Sequence, residues 1–330
     1  MQKQASPPAP HATASPEADP IPMRPPYEIM APQGAPIPFV LSSPHSGSYY
    51  PDELLAQSRL DQRMLRLSED SYVDEIFGLA PTLGAPLLKA VYSRAYVDPN
   101  REPFELDPEM FAEPLPGYIN SRSDRVAIGF GTVAREVARG ISIYRGKLHY
   151  AEALSRIERI YFPYHRALEK LLDETRARFG QAILIDCHSM PSSGLAAFGP
   201  QGSPDIVLGD RFGQSCRAGL MVEAEAALKA LGYKVVRNHP YAGGFITEQY
   251  GRPADGIHAL QIEINRRLYM DERTLVKLPG LDRLRQDMGR LIAHLAACDL
   301  TTAKARPRDK VRTYAGNRRV EPREKRSHSA

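Results

Sequence analysis

Between residues 36 and 298, short apolar runs alternate with longer stretches in which apolar positions recur every three to four residues. The short runs, rich in Val, Ile and Leu, predict strands at Pro38–Leu41, Pro86–Tyr92, Ala95–Asp98, Ala182–Asp186, Asp205–Gly209, Lys234–Arg237 and Ala259–Ile264. The periodic stretches predict helices at Leu60–Leu79, Tyr150–Phe179, Arg211–Leu231 and Leu281–Ala297. In the second of these, Ile157, Ile160, Tyr161, Tyr164, Leu168, Leu171 and Leu172 form one stripe. Strands alternating with helices predict an α/β layer fold on a mixed or mostly parallel sheet. From Asp98 to Gly140 the periodicity fails and Pro, Gly, Asn and Asp are frequent. That segment reads as a long loop, of the kind that is usually functional or disordered.

The two ends differ from this body. Residues 1–35 are Pro-rich and read as a disordered leader. Residues 299–330 read as a disordered basic tail, with ten Lys/Arg against three acidic residues from Thr301 onward. The net charge of +4 therefore belongs to the tail, and the remainder is slightly acidic. A tail contact with nucleic acid or an anionic membrane is the alternative to plain solvation. Residues 36–298 are expected to form a single α/β domain. Three cysteines, at 187, 216 and 298, give no disulfide framework. No run approaches the ~18–20 apolar residues of a membrane span. The N-terminus lacks the apolar core of a secretory signal, so a cytoplasmic, reducing setting is expected.

In open α/β sheets, ligands bind beyond the carboxyl ends of strands. Four apolar runs end in chemically capable groups: His45, Asp98–Arg101, His188 and His239. In ILIDCHS, His188 follows Asp186 by two residues, so a carboxylate could orient a metal-binding imidazole. His45 in SPHSG is a second such ligand, with Gly47 permitting a tight turn. A third could come from Asp70 or its neighbours Glu69, Asp74 and Glu75; spacing alone does not choose among them. Cys187 points to the opposite strand face from His188 and reads as core. In HALQIEIN, Ala259, Gln261 and Glu263 share one face. A carboxylate in so apolar a run is costly to bury without a role, and near a metal it can serve as general base. Asn100 and Arg101 are suited to gripping a carboxylate.

Taken in order, SPHSG, EDSYVDE, SRAYVDPNR, RIERIYFPYH, DCHS, GGFITEQYG and GIHALQIEI span about Phe39 to Leu295. This series resembles the N-formylglutamate amidohydrolase (deformylase) family, which is similar in turn to zinc carboxypeptidases and aspartoacylase/succinylglutamate desuccinylase enzymes. The resemblance implies a three-layer, phosphorylase/hydrolase-like and zinc-peptidase-like α/β fold. It implies one Zn²⁺, or another divalent ion, held by His45, Asp70 and His188, with Glu263 as general base. By the same likeness Arg94 polarises the scissile carbonyl, Asn100 and Arg101 hold the substrate α-carboxylate, and Gly243 and Gly244 let the backbone approach the ligand. The expected reaction is hydrolysis of the amide of a small N-formyl or short N-acyl amino acid, with no membrane involved, nucleic acid left open only by the basic tail, and the oligomeric state not specified. Two positions depart from the pattern. Pro99 replaces a leucine spacer, and Glu248 stands where formylglutamate-cleaving members carry a basic residue. An acid there would repel a second substrate carboxylate, which leaves the acyl group and amino acid open. The alternatives are a carboxypeptidase-like or peptidoglycan-related amidase and a non-enzymatic protein that binds through its tail.

Overall fold

In the computed structural model, residues 24–199 and 202–298 are described. Their nine strands are β1 (Tyr27–Met30), β2 (Phe39–Ser43), β3 (Leu87–Ala90), β4 (Glu136–Ala138), β5 (Ile141–Ser142), β6 (Ala182–Met190), β7 (Ile206–Gly209), β8 (Val235–Arg237) and β9 (Ile257–Asn265). Seven of them make one sheet in the order β1-β3-β2-β6-β9-β7-β8. β3, β2, β6 and β9 are mutually parallel, whereas β1 is antiparallel to β3 and β7 antiparallel to β9. The mixed, mostly parallel sheet expected from the alternating pattern is what forms.

The α-helices are α1 (Asp52–Gln57), α2 (Gln62–Leu65), α3 (Val73–Ile76), α4 (Asp124–Ala127), α5 (Tyr150–Arg156), α6 (Phe162–Phe179), α7 (Ala218–Ala230), α8 (Phe245–Tyr250) and α9 (Gly280–Ala297). One sheet face, with Ile183, Ile185, Cys187, Leu260 and Ile262, packs on α3, α7 and α9 through Ile76, Leu220 and Leu291. The other, with Val40, Leu184 and Ala259, packs on α6 and α8 through Leu168 and Ile246. Strand residues alternate between faces, so both sides of a buried strand must be apolar, and β6 and β9 are buried along their whole length. A further cluster joins Leu106, Phe111, Val133 and Val137 of the long loop to Ile157 and Tyr161. That loop therefore carries its own core, along with α4 and the β4–β5 hairpin.

Several elements differ from the sequence reading. The leader was expected to run to residue 35, yet Tyr27–Met30 pairs with β3 from Tyr27↔Ala90 to Met30↔Leu87. This four-residue edge strand is tied down by Tyr27 packing and a Glu28–Lys89 ion pair at 3.0 Å. Residues 1–23 of the leader, and the tail beyond residue 298, lie outside the described residues. The single helix expected at Leu60–Leu79 is broken. The Glu69 carboxylate accepts from Arg66, Tyr50 and Ser71, the Asp70 amide donates to the His45 carbonyl, and Tyr72 has φ +68°. Such local bonds compete with helix propagation. Ala95–Asp98 is a turn, and the helix expected from Arg211 begins at Ala218 because Arg211, Phe212 and Gly213 all have positive φ. Tyr150–Phe179 is helical throughout, widened to a π turn over Ile157–Tyr161 beside Pro163, which has no N–H for the α-helical bond to residue 159.

Candidate metal centre

The sheet's two central strands change character along their length. On the face shared with α6, β6 runs Ala182, Leu184, Asp186, His188, and β9 runs Ala259, Gln261, Glu263. The two are in register, with Asp186 opposite Gln261 and His188 opposite Glu263. One face is thus apolar at its base and charged at the carboxyl edge, where β2 delivers His45 and the chain after β3 delivers Arg94 to Arg101. Gly47 is required beside His45, because a Cβ there would lie 2.2 Å from the Tyr92 carbonyl oxygen.

Both imidazoles are pinned by the same nitrogen. His45 Nε2 lies 2.7 Å from Asp98 Oδ1, and His188 Nε2 lies 2.9 Å from Asp186 Oδ1. Each Nδ1 is consequently turned toward Asp70, whose Oδ2 is 3.4 Å from His45 Nδ1 and 3.0 Å from His188 Nδ1. His45 Nδ1 is buried without a hydrogen-bond partner. All three residues are buried, and their ligand atoms lie within 4.8 Å of one another. An orphaned buried imidazole nitrogen beside a carboxylate fits a cation, and carboxylates orienting the far nitrogens are the usual support of metal-binding histidines. The other acids are occupied elsewhere. Glu69 binds Arg66, Tyr50 and Ser71; Asp74 faces Lys89; Glu75 faces Lys277. Geometry brings Asp70 alone of the four to the histidines.

Asp70 is fixed from its other side by Arg266, whose Nη2 donates to Oδ1 at 2.9 Å. Burial alone would push Asp70 up, but the His188 and His45 imidazoles and Arg266 hold its carboxyl well below the usual range. Asp98 is likewise buried yet held low by Arg94, His45 and Arg101. Burial, aided by Arg94, lowers His45, so that imidazole is neutral and keeps a lone pair. Asp70, Asp98, Asp186 and Glu263 bring four carboxylates to the histidines, and the guanidiniums of Arg94, Arg101 and Arg266 pair with two of them, Asp98 and Asp70. Arg266 was not singled out from sequence; its only signal was its place just after β9. Replacing Arg266 with Met should cost about 3–5 kcal/mol, since it strips the guanidinium from a buried carboxylate and leaves Asp70 Oδ1 without its donor. Denaturant unfolding of the metal-free protein measures this.

Glu263 is 8 % exposed and accepts from Gln261 Nε2 at 2.9 Å. Burial, with Asp70 and Asp186 adding to it and His188 opposing, raises its pKa to about 7. It sits on a central strand, not an edge. Arg94 grips Asp98 Oδ2 with Nε at 3.1 Å and Nη2 at 2.6 Å. Asn100 is buried, its Oδ1 accepting from the Ile246 amide and its Nδ2 lying 3.0 Å from His188 Nε2. The Ile246 bond ties Asn100 to α8. Arg101 donates Nε to the Phe130 carbonyl and Nη1 to its neighbour Asn100. The loop is held from α6 by His165 Nε2, which donates to the Pro99 carbonyl at 2.8 Å.

Gly244 leaves room for Asn100, whose amide would lie 2.4 Å from an added Cβ. The Gly244 amide donates to Gln261 Oε1 at 2.7 Å. Gly243, at φ +125°, is overlain by Thr247 and Arg211. Thr247 Oγ1 in turn donates to Asp186 Oδ2 at 3.1 Å. Glu248 is half exposed and paired with Arg211 at 2.8 Å. His239 packs on Phe198 and is not part of the group. A residue that sequence reading missed is Tyr241. It packs with Met190 and Val207, which continue the His188 and Glu263 face, and its hydroxyl lies over Gly194. Burial and the nearby Glu263 raise its pKa to about 12, so the phenol keeps its proton.

With this geometry in hand, comparison with known proteins is specific. The family model described as N-formylglutamate amidohydrolase matches residues 37–270. An N-formylglutamate deformylase of Pseudomonas aeruginosa is 31% identical over 249 residues, 74% of this chain and 87% of that protein. One from Pseudomonas putida is 30% identical over 245 residues, 72% of this chain and 83% of the relative. A solved N-formylglutamate amidohydrolase from Ralstonia eutropha JMP134 superposes with a TM-score of 0.78 at 36% identity, covering 82% of this chain and 97% of that one.

Proposed function

The chain belongs to the N-formylglutamate amidohydrolase family, and from that premise we propose that it hydrolyses the amide of an N-formyl amino acid, N-formylglutamate first, using one divalent ion, zinc by preference. The observation that carries this is the convergence of His45 Nδ1, His188 Nδ1 and Asp70 Oδ2 beside Glu263. Two imidazoles and a carboxylate are a catalytic zinc donor set that keeps a position open. When bound, the ion would supply Lewis-acid polarisation of the amide and an acidified water. Glu263 would take a proton from the attacking water and return it to the departing amine, a task that suits a carboxyl group with a pKa near 7. Arg94 stands by for the developing oxyanion, and Arg101, with Asn100 bracing beside it, would anchor the α-carboxylate so the amide meets the site in one orientation. Glu248 is no obstacle to a dicarboxylate, because Arg211 offsets its charge.

Tyr241 adds a neutral hydroxyl that is within electrostatic reach of Glu263. As an oxyanion donor, its loss in Tyr241→Phe should lower kcat about 10²–10³-fold with little change in KM. Steady-state kinetics at matched metal content measures this, and an unchanged kcat removes the role. The function itself is tested by metal analysis of the purified protein and by formate release from a panel of N-formyl and N-acetyl amino acids. N-formylglutamate should be turned over fastest, and metal-loaded protein inert to the whole panel defeats the reading. No helix among the described residues is long and apolar enough to cross a membrane.

A further inference from the structure

A second group of ligand-type side chains lies away from the catalytic edge, where α7 and α9 pack together. Glu223 projects from α7, His294 from the last turn of α9, and Cys298 follows that helix directly. His294 Nε2 is 3.5 Å from Glu223 Oε2 and 3.5 Å from Cys298 Sγ, and the three ligand atoms lie within 4.8 Å of one another. A tetrahedral zinc with bonds of ~2.0 Å to N or O and ~2.3 Å to S separates its ligand atoms by about 3.3–3.6 Å. Both His294 distances fall in that range. His294 and Cys298 are four residues apart, so the helix sets them one above the other. The frame is rigid, since Leu220, Ala224 and Leu228 of α7 share a core with Met288, Leu291 and Leu295 of α9.

From this geometry we infer that Glu223, His294 and Cys298 form a second, surface site for a thiophilic divalent cation such as zinc, clasping the end of α9 to α7. Thiolate, imidazole and carboxylate together favour zinc over magnesium or calcium, which prefer oxygen alone. Water completes the fourth position. The site lies on helices that cover the sheet face opposite the Asp70 centre, so its ion has no part in turnover.

Cobalt(II) tests this directly, because thiolate coordination gives an intense near-ultraviolet charge-transfer band and the His45–Asp70–His188 set has no sulfur. The full chain, loaded under reducing conditions, should bind two equivalents and show that band. Cys298→Ser should lose the band and one equivalent while retaining hydrolysis within about twofold, and His294→Ala should lose the same equivalent. A wild-type protein without the band, or a band that survives Cys298→Ser, overturns the inference. Loss of the other equivalent with the band intact would count against the catalytic centre alone.

Discussion

Glu263→Gln will lower turnover by about 10²–10⁴-fold while the metal content of the protein stays at the wild-type level. The amide keeps the shape of the carboxylate and can still meet Gln261, whose Nε2 donates to Glu263 Oε1. What is lost is proton affinity. Glu263 must be ionised to accept a proton, and its pKa is raised to about 7. Wild-type kcat/KM should therefore fall as pH drops through an acid limb at or below about 7, lower when a bound cation adds its pull. In Glu263→Gln that limb disappears along with the activity. Metal analysis and a pH–rate profile on the same preparations separate this result from simple loss of the ion, and a Gln variant of near-normal rate rules out the base.

Asp70→Asn should be nearly as damaging by a different route. Its Oδ1 can still accept from Arg266, so the fold is spared the unpaired guanidinium that Ala would leave. The anionic oxygen facing His45 and His188 is gone, however. Metal affinity should drop by more than the ~10–100-fold typical of changes to supporting residues, and activity should fall with it. Glu69→Gln is the matched control. Its carboxylate serves Arg66, Tyr50 and Ser71, so stability should suffer and metal content should not. Equilibrium dialysis of both variants decides the matter, and equal metal content in Asp70→Asn and wild type refutes the ligand assignment.

These residues also show how far a sequence can be read. His188, Asp186 and Glu263 were legible because isolated polar side chains at the carboxyl end of a buried strand are too costly to keep there without a ligand or a charge partner. Asp70 was not separable from its neighbours, since which acid meets the histidines depends on the Asp70 amide reaching the His45 carbonyl across the fold. That same bond helps break the helix expected through this stretch. Arg266 and Tyr241 were invisible for a related reason. Their partners, Asp70 and the Glu263 face, are far away in sequence, and neither residue type is unusual where it stands. β1 was lost to the proline content around it, although a four-residue edge strand needs only one neighbour.

The groups that meet at the carboxyl edge arrive from four separate crossings of the sheet, the earliest near residue 45 and the latest near residue 266. No contiguous fragment of the polypeptide can therefore assemble the centre, and an unfolded chain offers nothing comparable. Any ion held there binds the native state in preference to the unfolded chain, so its occupancy becomes part of the thermodynamics of folding. Growth under metal starvation would then thin the population of intact molecules as well as silence them.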